Sequence, residues 1–176
     1  MNTQNNHYWD SENPHRFHEQ PLHDIKIGVW CAMSGRRLIG PIFFEETVNA
    51  QRYTQFILRP FFNELSEEEK LYSYFMQDNA TAHTAHESMT AIQKVFDDRV
   101  VSRGLWPARS PDLNPCDFYL WGTLKSKVYA NNPHSLEELK QNIRHEIRDI
   151  SENELRRVVG HVFRRCAACQ IAQGHH

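Results

Sequence analysis

The polypeptide has 176 residues, about one domain at the usual ~150 residues per domain and enough to bury a substantial core. Hydrophobic residues at 40% and charged residues at 24% are globular proportions, which argue against a disordered, collagenous or coiled-coil chain. A net charge of −2 gives no overall basic signal towards nucleic acid. No stretch approaches the ~18 uninterrupted apolar residues of a membrane-spanning helix. The polar start MNTQNNHYWDSENPH has no apolar segment of a signal peptide. Four Cys make no disulfide scaffold, so a reduced, intracellular chain is expected. Charge is uneven along the chain. Residues 1–98 carry 8 Lys and Arg against 14 Asp and Glu, and residues 99–176 carry 12 against 8. The basic second half is compatible with a polyanion partner, although on charge alone a solvated helical surface is the simpler reading.

Residues 1–23, rich in Asn, His, Glu and Pro, read as extended coil. The alternation over Ile25–Met33 predicts a strand. Ser34-Gly35 is a turn signal, and Arg37–Glu45 predicts a second strand of a hairpin, with Pro41 at an edge or a bulge. Helical spacing begins near Asn49 and carries Tyr53, Phe56, Ile57, Phe61 and Leu65, and Pro60 is expected to kink or split it. Ser66 before three Glu reads as the cap of a short helix. Tyr72–Gln77 predicts a third strand, ending at Asp78-Asn79. A helix follows over about Thr84–Phe96, then a short fourth strand Arg99–Ser102 and a Pro-rich loop, RGLWPARSPDLNP. From Pro115 the chain reads as helix: one segment with Phe118, Leu120, Trp121, Leu124 and Val128, and one opened by Ser135-x-x-Glu138 with Leu139, Ile143, Ile147 and Ile150. A last helix covers about Asn153–Ala172. This order predicts an α/β chain with a mixed sheet flanked by helices and a helical C-terminal region.

Two carboxylates stand out by position. Asp78 ends the third strand and shares its alternation with Met76, Tyr74 and Tyr72, which reads as the core-facing set delivering it to the strand's carboxyl end. Open α/β sheets bind ligands at that edge, but Asp-Asn after a strand also forms ordinary turns. Asp117 falls in the first turn of the helix capped by Asn114 and opened by Pro115. There a carboxylate is stabilised by the helix dipole without any further role. Asp112 reads as a turn residue, and Trp106 and Trp121 as core. Cys166-x-x-Cys169 has no second Cys pair, which favours helix-surface or core Cys over structural zinc. Arg109, Lys125 and Lys127 flank Asp117 and are candidates for phosphate contact.

Taken together, MQDNATAHTA and the downstream WPARSPDLNPCDFYLW resemble the catalytic region of mariner-type transposases, in the Asp-Asp-Asp/Glu transposase and integrase superfamily. The matching residues are Asp78, Asn79 and His83, then Ser110, Pro111, Asp112, Leu113, Pro115 and Asp117, and the resemblance covers nearly the whole chain. It implies a ribonuclease H-like fold whose carboxylates bind two Mg²⁺ or Mn²⁺ ions and cut and join DNA strands. Asp78 and Asp117 match the second and third family carboxylates, with 38 residues between them. His83 reads equally as a surface residue at a helix start or, by the resemblance, as a group supporting Asp78, and Asn79, Arg109 and Lys125 are candidates for supporting the metals or contacting DNA. It further implies DNA as partner, a nuclear location and a possible homodimer, with no membrane. The family's first strand with its catalytic Asp, and the helix-turn-helix region before it, find no match here. Asp10 and Glu12 are poor substitutes. The expectation is a single partial catalytic domain over residues 1–176, inactive alone. Its alternative is a non-enzymatic nucleic-acid-binding or interaction protein derived from a transposable element.

Overall fold

The computed structural model describes residues 27–107 and 110–173. The expected N-terminal coil, with Asp10 and Glu12, the start of the first predicted strand at Ile25 and Lys26, and Arg109 lie outside the described residues.

The first two strands, β1 (Gly28–Met33) and β2 (Leu38–Phe44), form an antiparallel hairpin closed by Ser34, whose Oγ accepts from the Arg36 and Arg37 amides. The register slips between Trp30 and Ala32, and Pro41 sits opposite this slip, so it occupies a bulge, where its missing N–H costs the ladder nothing. Gly40 beside it has φ +106°, and a Cβ there would lie 2.9 Å from the Trp30 carbonyl oxygen. Only glycine suits that position. Both faces of the hairpin are apolar. Trp30, Ala32, Ile39, Ile42 and Phe44 pack into one core, and Val29, Cys31, Met33, Leu38 and Phe43 into another.

The first core is built by the helix α1 (residues 50–64). Asn49 caps it, its Oδ1 accepting from the Arg52 amide at 2.8 Å. Pro60 does not end the helical run, but the run changes character just before it. Residues 53–58 run in a widened turn, with the Arg59 amide donating to the Thr54 carbonyl, and this extra residue makes room for the proline ring. The wide turn also rotates the buried face. Leu58 is fully buried, whereas Phe56, expected inside, is exposed. The helix α2 (Glu67–Tyr72) has a reciprocal capping box between Ser66 and Glu69. Arg37 grips the same Glu69 through Nε at 2.9 Å and Nη2 at 2.6 Å.

Tyr72 is therefore the end of a helix and not part of the third strand. Arg99 holds the helix end by donating to the Lys70 and Ser73 carbonyls. The strand itself, β3, is only Phe75–Met76. It pairs in parallel with β4 (Val100–Val101). Between them lie a short turn of helix, α3 (Thr81–Thr84), and α4 (His86–Phe96), whose Ile92 and Phe96 enter the first core. Phe75, Phe96 and Phe61 stack there with centroids 5.3–6.4 Å apart. Among the described residues the antiparallel and parallel pairings form two separate two-stranded sheets.

After a 3₁₀ turn at Pro111–Leu113, the helices α5 (residues 116–128), α6 (Leu136–Arg148) and α7 (Glu152–Ile171) follow. Leu120, Leu124 and Val128 of α5 meet Ile143 and Ile147 of α6 over the second face of the hairpin. Ser135 caps α6, but Glu138 reaches back one residue beyond the expected box, to the His134 amide. Most basic side chains of this half are engaged in ion pairs, such as Lys127–Glu146, Lys140–Glu45, Arg144–Glu137 and Arg156–Glu152, so the charge asymmetry is largely a solvated helical surface. No helix among the described residues is long and apolar enough to cross a membrane.

The Arg37 contact holds the Glu69 carboxyl down at about 2, with burial opposing it. The folded value lies below the ordinary 4.5, so the stabilisation is present above that pH and is lost as pH falls towards 2. Thermal melts of Glu69→Gln should show a lower Tm than wild type at neutral pH. The gap should close below pH 4.5; a constant gap down to pH 2 would rule the pair out as its source.

Candidate active site

Asp78 lies one residue past Gln77, which follows β3, at the same end of the parallel pair as Ser102, which follows β4. Phe75 and Gln77 are the buried residues of this strand, while Tyr74 is exposed. Asp78 therefore alternates with the open face and not, as its pattern suggested, with the core face, because a two-residue strand leaves Tyr72 in a helix and Tyr74 in solvent. Its Oδ1 accepts from the Ala80 amide at 3.0 Å and meets Nδ1 of His83 at 2.5 Å. The turn role leaves the carboxylate on the open face, so it does not exclude a site role.

His83 is carried by α3 and lies against the ring of Tyr53, with centroids 4.6 Å apart. Asn79 points elsewhere: its Nδ2 donates to the Trp106 carbonyl at 3.1 Å, tying the strand end to the loop after β4. Beneath them Gln77 is buried and fully engaged. Tyr53 Oη donates to its Oε1 at 2.9 Å, and its Nε2 donates to Ser102 Oγ at 3.0 Å and to the His83 carbonyl at 3.1 Å.

Asp117 arrives from the other core, in the first turn of α5. The expected cap is present. Asn114 Oδ1 accepts from the Cys116 amide at 3.0 Å, and the Asn114 carbonyl accepts from the Asp117 amide. Asp78, Asn79, Ala80, Trp106, Ser110, Pro111 and Asp117 line one open cleft of about 310 Å³. A helix N-terminus should lower a carboxyl pKa, yet that of Asp117 is raised. Partial burial is the main cause and the charge of Asp78 the second, against a hydrogen bond from the Asn114 side chain. Two carboxylates thus repel each other across a cleft, which is the pattern of a site built for something cationic.

Mg²⁺ or Mn²⁺ fits this donor set, since such ions take one or two carboxylates and keep much of their water. Among the described residues no cluster of three or more His, Cys, Asp or Glu exists, so Asp78 and Asp117 are the carboxylates available here. Lys125 is exposed on α5 eight residues beyond Asp117, about 12 Å along the axis, and does not line the cleft. Lys127 points to Glu146. Asp112 lies in the 3₁₀ turn, facing Arg165 at 3.9 Å. Cys166 and Cys169 sit along α7, the second exposed. Sequence reading assigned Trp106 to the core alone, although it is both buried and a wall of the cleft. It also missed Tyr53 and Gln77. The strand alternation puts Gln77 on the face opposite Asp78, which reads as the outer one, so its burial was not legible in the sequence.

Residues 9–140 match the family described as DDE superfamily endonuclease. The chain belongs to this superfamily. Within it, the resemblance is to the catalytic domain of mariner-type transposases. The chain is 32% identical over 161 residues to the Tc3 transposase of Caenorhabditis elegans. That alignment covers 87% of this chain but 46% of the relative, so the chain spans about half its length. Among solved structures, the catalytic domain of Mos1 mariner transposase superposes with a TM-score of 0.71 at 24% identity, over 85% of this chain and 74% of that one. The Mos1 paired-end complex with Mn gives 0.73 at 23% identity, over 98% and 51%. These matches establish the ribonuclease H-like fold.

Because the Asp117 carboxyl is raised, its protonated form is the one that folding favours, and stability is lost as pH rises through its folded value. Asp117→Asn should therefore raise Tm at neutral pH and flatten the decline between acid and neutral pH. A lower Tm at every pH would mean that the carboxylate serves chiefly as a cap.

Proposed function

We propose that this chain is the carboxylate-bearing part of a transposase, in which Asp78 and Asp117 hold a divalent metal for cleavage and transfer of DNA strands. The observation that carries this reading is the shared cleft, which carboxylates from two separately packed layers line and where burial first, and the charge of Asp78 second, raise the Asp117 pKa. The superfamily membership supports the reaction class. Mos1 catalytic-domain structures with Mn and with Mg, and a Mos1 paired-end complex with a transposon end, support the metal and the DNA partner.

When bound, a metal pair activates water or a 3′-hydroxyl and steadies the leaving oxygen of a phosphodiester. The chain's own residues prepare the place. His83 and the Ala80 amide fix one oxygen of Asp78, the Asn114 cap fixes the turn bearing Asp117, and Asn79 holds the loop that walls the cleft. Among the described residues Asp78 Oδ2 has no hydrogen bond, which leaves it as the oxygen for a cation. The family pattern uses a third carboxylate, and none stands in this cleft among the described residues. We therefore infer that the 176-residue polypeptide by itself does not cut DNA.

Two measurements on the purified polypeptide test this. Electron paramagnetic resonance should show Mn²⁺ binding that is lost in Asp78→Asn and in Asp117→Asn. Transposon-end DNA with Mg²⁺ or Mn²⁺ should remain uncut. Nicking that disappears in Asp78→Ala and Asp117→Ala would show that the polypeptide carries a complete site. Mn²⁺ binding indifferent to both substitutions would remove the metal reading and favour a non-enzymatic nucleic-acid-binding protein.

A further inference from the structure

Gln77 is 5% exposed and belongs to the same strand end as Asp78, yet it touches no part of the cleft. A buried primary amide has two donors and an acceptor to satisfy, and leaving one unmet costs more than a met bond gains. Here each has a partner, and the partners come from four places in the chain. The acceptor takes the Tyr53 hydroxyl of α1, and the donors reach Ser102 beyond β4 and the carbonyl of His83 on α3. Met89 of α4 adds its sulfur at 3.7 Å. The His83 contact closes the seven-residue segment 77–83 back onto the strand end. With its carbonyl clamped and its ring against Tyr53, His83 has its Nδ1 held on Oδ1 of Asp78. Gln77 also bonds Ser102 through its side chain, while its own amide donates to the Val101 carbonyl at 3.1 Å, so β3 and β4 are pinned where Asp78 leaves the sheet.

We propose that Gln77 is a positioning residue for Asp78: its buried side-chain amide clamps the His83 carbonyl and so holds the His83 ring on one carboxylate oxygen, presenting the other to the cleft. This rests on the metal reading of Asp78 given above. It goes beyond that reading by assigning the geometry of the carboxylate to a residue that never meets the ligand. The donor end of the amide is what matters. A Gln77→Glu side chain keeps the shape, but in its ionised form it can only accept and has no donor for the His83 carbonyl, and Gln77→Met lacks the donor at every pH.

The test compares the 176-residue chain with Gln77→Glu, Gln77→Met and, as a milder change, Tyr53→Phe, which leaves the donor end intact. Nitrogen-15 NMR of the histidine rings reads the His83 Nδ1–H bond to Asp78 without any metal, with His83→Gln used to assign the signal. Mn²⁺ affinity is measured alongside, with Asp78→Asn as the reference for loss. Wild type and Tyr53→Phe should show a hydrogen-bonded Nδ1–H proton, while folded Gln77→Glu and Gln77→Met should lose it. Their Mn²⁺ affinity should fall by about 10- to 100-fold, the usual effect of removing an outer-shell partner. If Gln77→Met fails to fold, Gln77→Glu and a Ser102→Ala variant, which keeps the His83 clamp and should keep the signal, decide the matter. A Nδ1–H signal that persists in folded Gln77→Met, or in folded Gln77→Glu at a pH where its carboxyl is ionised, or that is absent from wild type, overturns the proposal. If the NMR result is as expected but the wild type binds no Mn²⁺, the positioning of Asp78 stands and the metal reading falls.

Discussion

The hairpin is apolar on both of its faces, and the rest of the structure follows from covering them. A two-stranded ribbon is marginal alone in water, so each face needs its own layer. The α1–α4 side supplies one, centred on the Phe61, Phe75 and Phe96 stack, and the α5–α6 side supplies the other, centred on Leu120, Leu124, Ile143 and Ile147. Asp78 belongs to the first layer, through β3, and Asp117 to the second, through α5. The carboxylates share a cleft because the two layers share a wall.

This arrangement explains why the site is electrostatically strained while its supports are not. Asp117 has the best local setting a carboxylate can have, in a capped first turn, and still its pKa is raised by partial burial and by Asp78. Around it, buried polar groups are satisfied: among the described residues no buried side-chain nitrogen or oxygen lacks a partner. Repulsion is thus confined to one cleft while the buried polar groups beneath it are satisfied.

The supporting network also fits the scale of the strands. β3 and β4 contribute two residues each, which gives few ladder hydrogen bonds to fix the exit direction of Asp78. Gln77, Ser102, Tyr53 and the Asn79–Trp106 contact add side-chain bonds in their place. A short sheet thereby gains a defined edge.

Local signals in the sequence determined the elements whose cause is local. Asn49, Ser66, Asn114, Ser135 and Ser151 cap helices because a side-chain oxygen needs only the next two or three amides. The hairpin, the bulge at Pro41 and the apolar face of α6 were legible for the same reason. So were Asp78 and Asp117 as candidates, since the linked motifs are contiguous in the chain. Tertiary structure alone decided the rest. Tyr72 ends a helix because Arg99, far along the chain, holds its carbonyls, and Phe56 gives way to Leu58 because the widened turn before Pro60 rotates the buried face. The face that Asp78 occupies, the role of Gln77 and the coupling of the two carboxylates depend on partners 5 to 39 residues away. No pattern of neighbours encodes those distances; they exist once both faces of one hairpin have been buried.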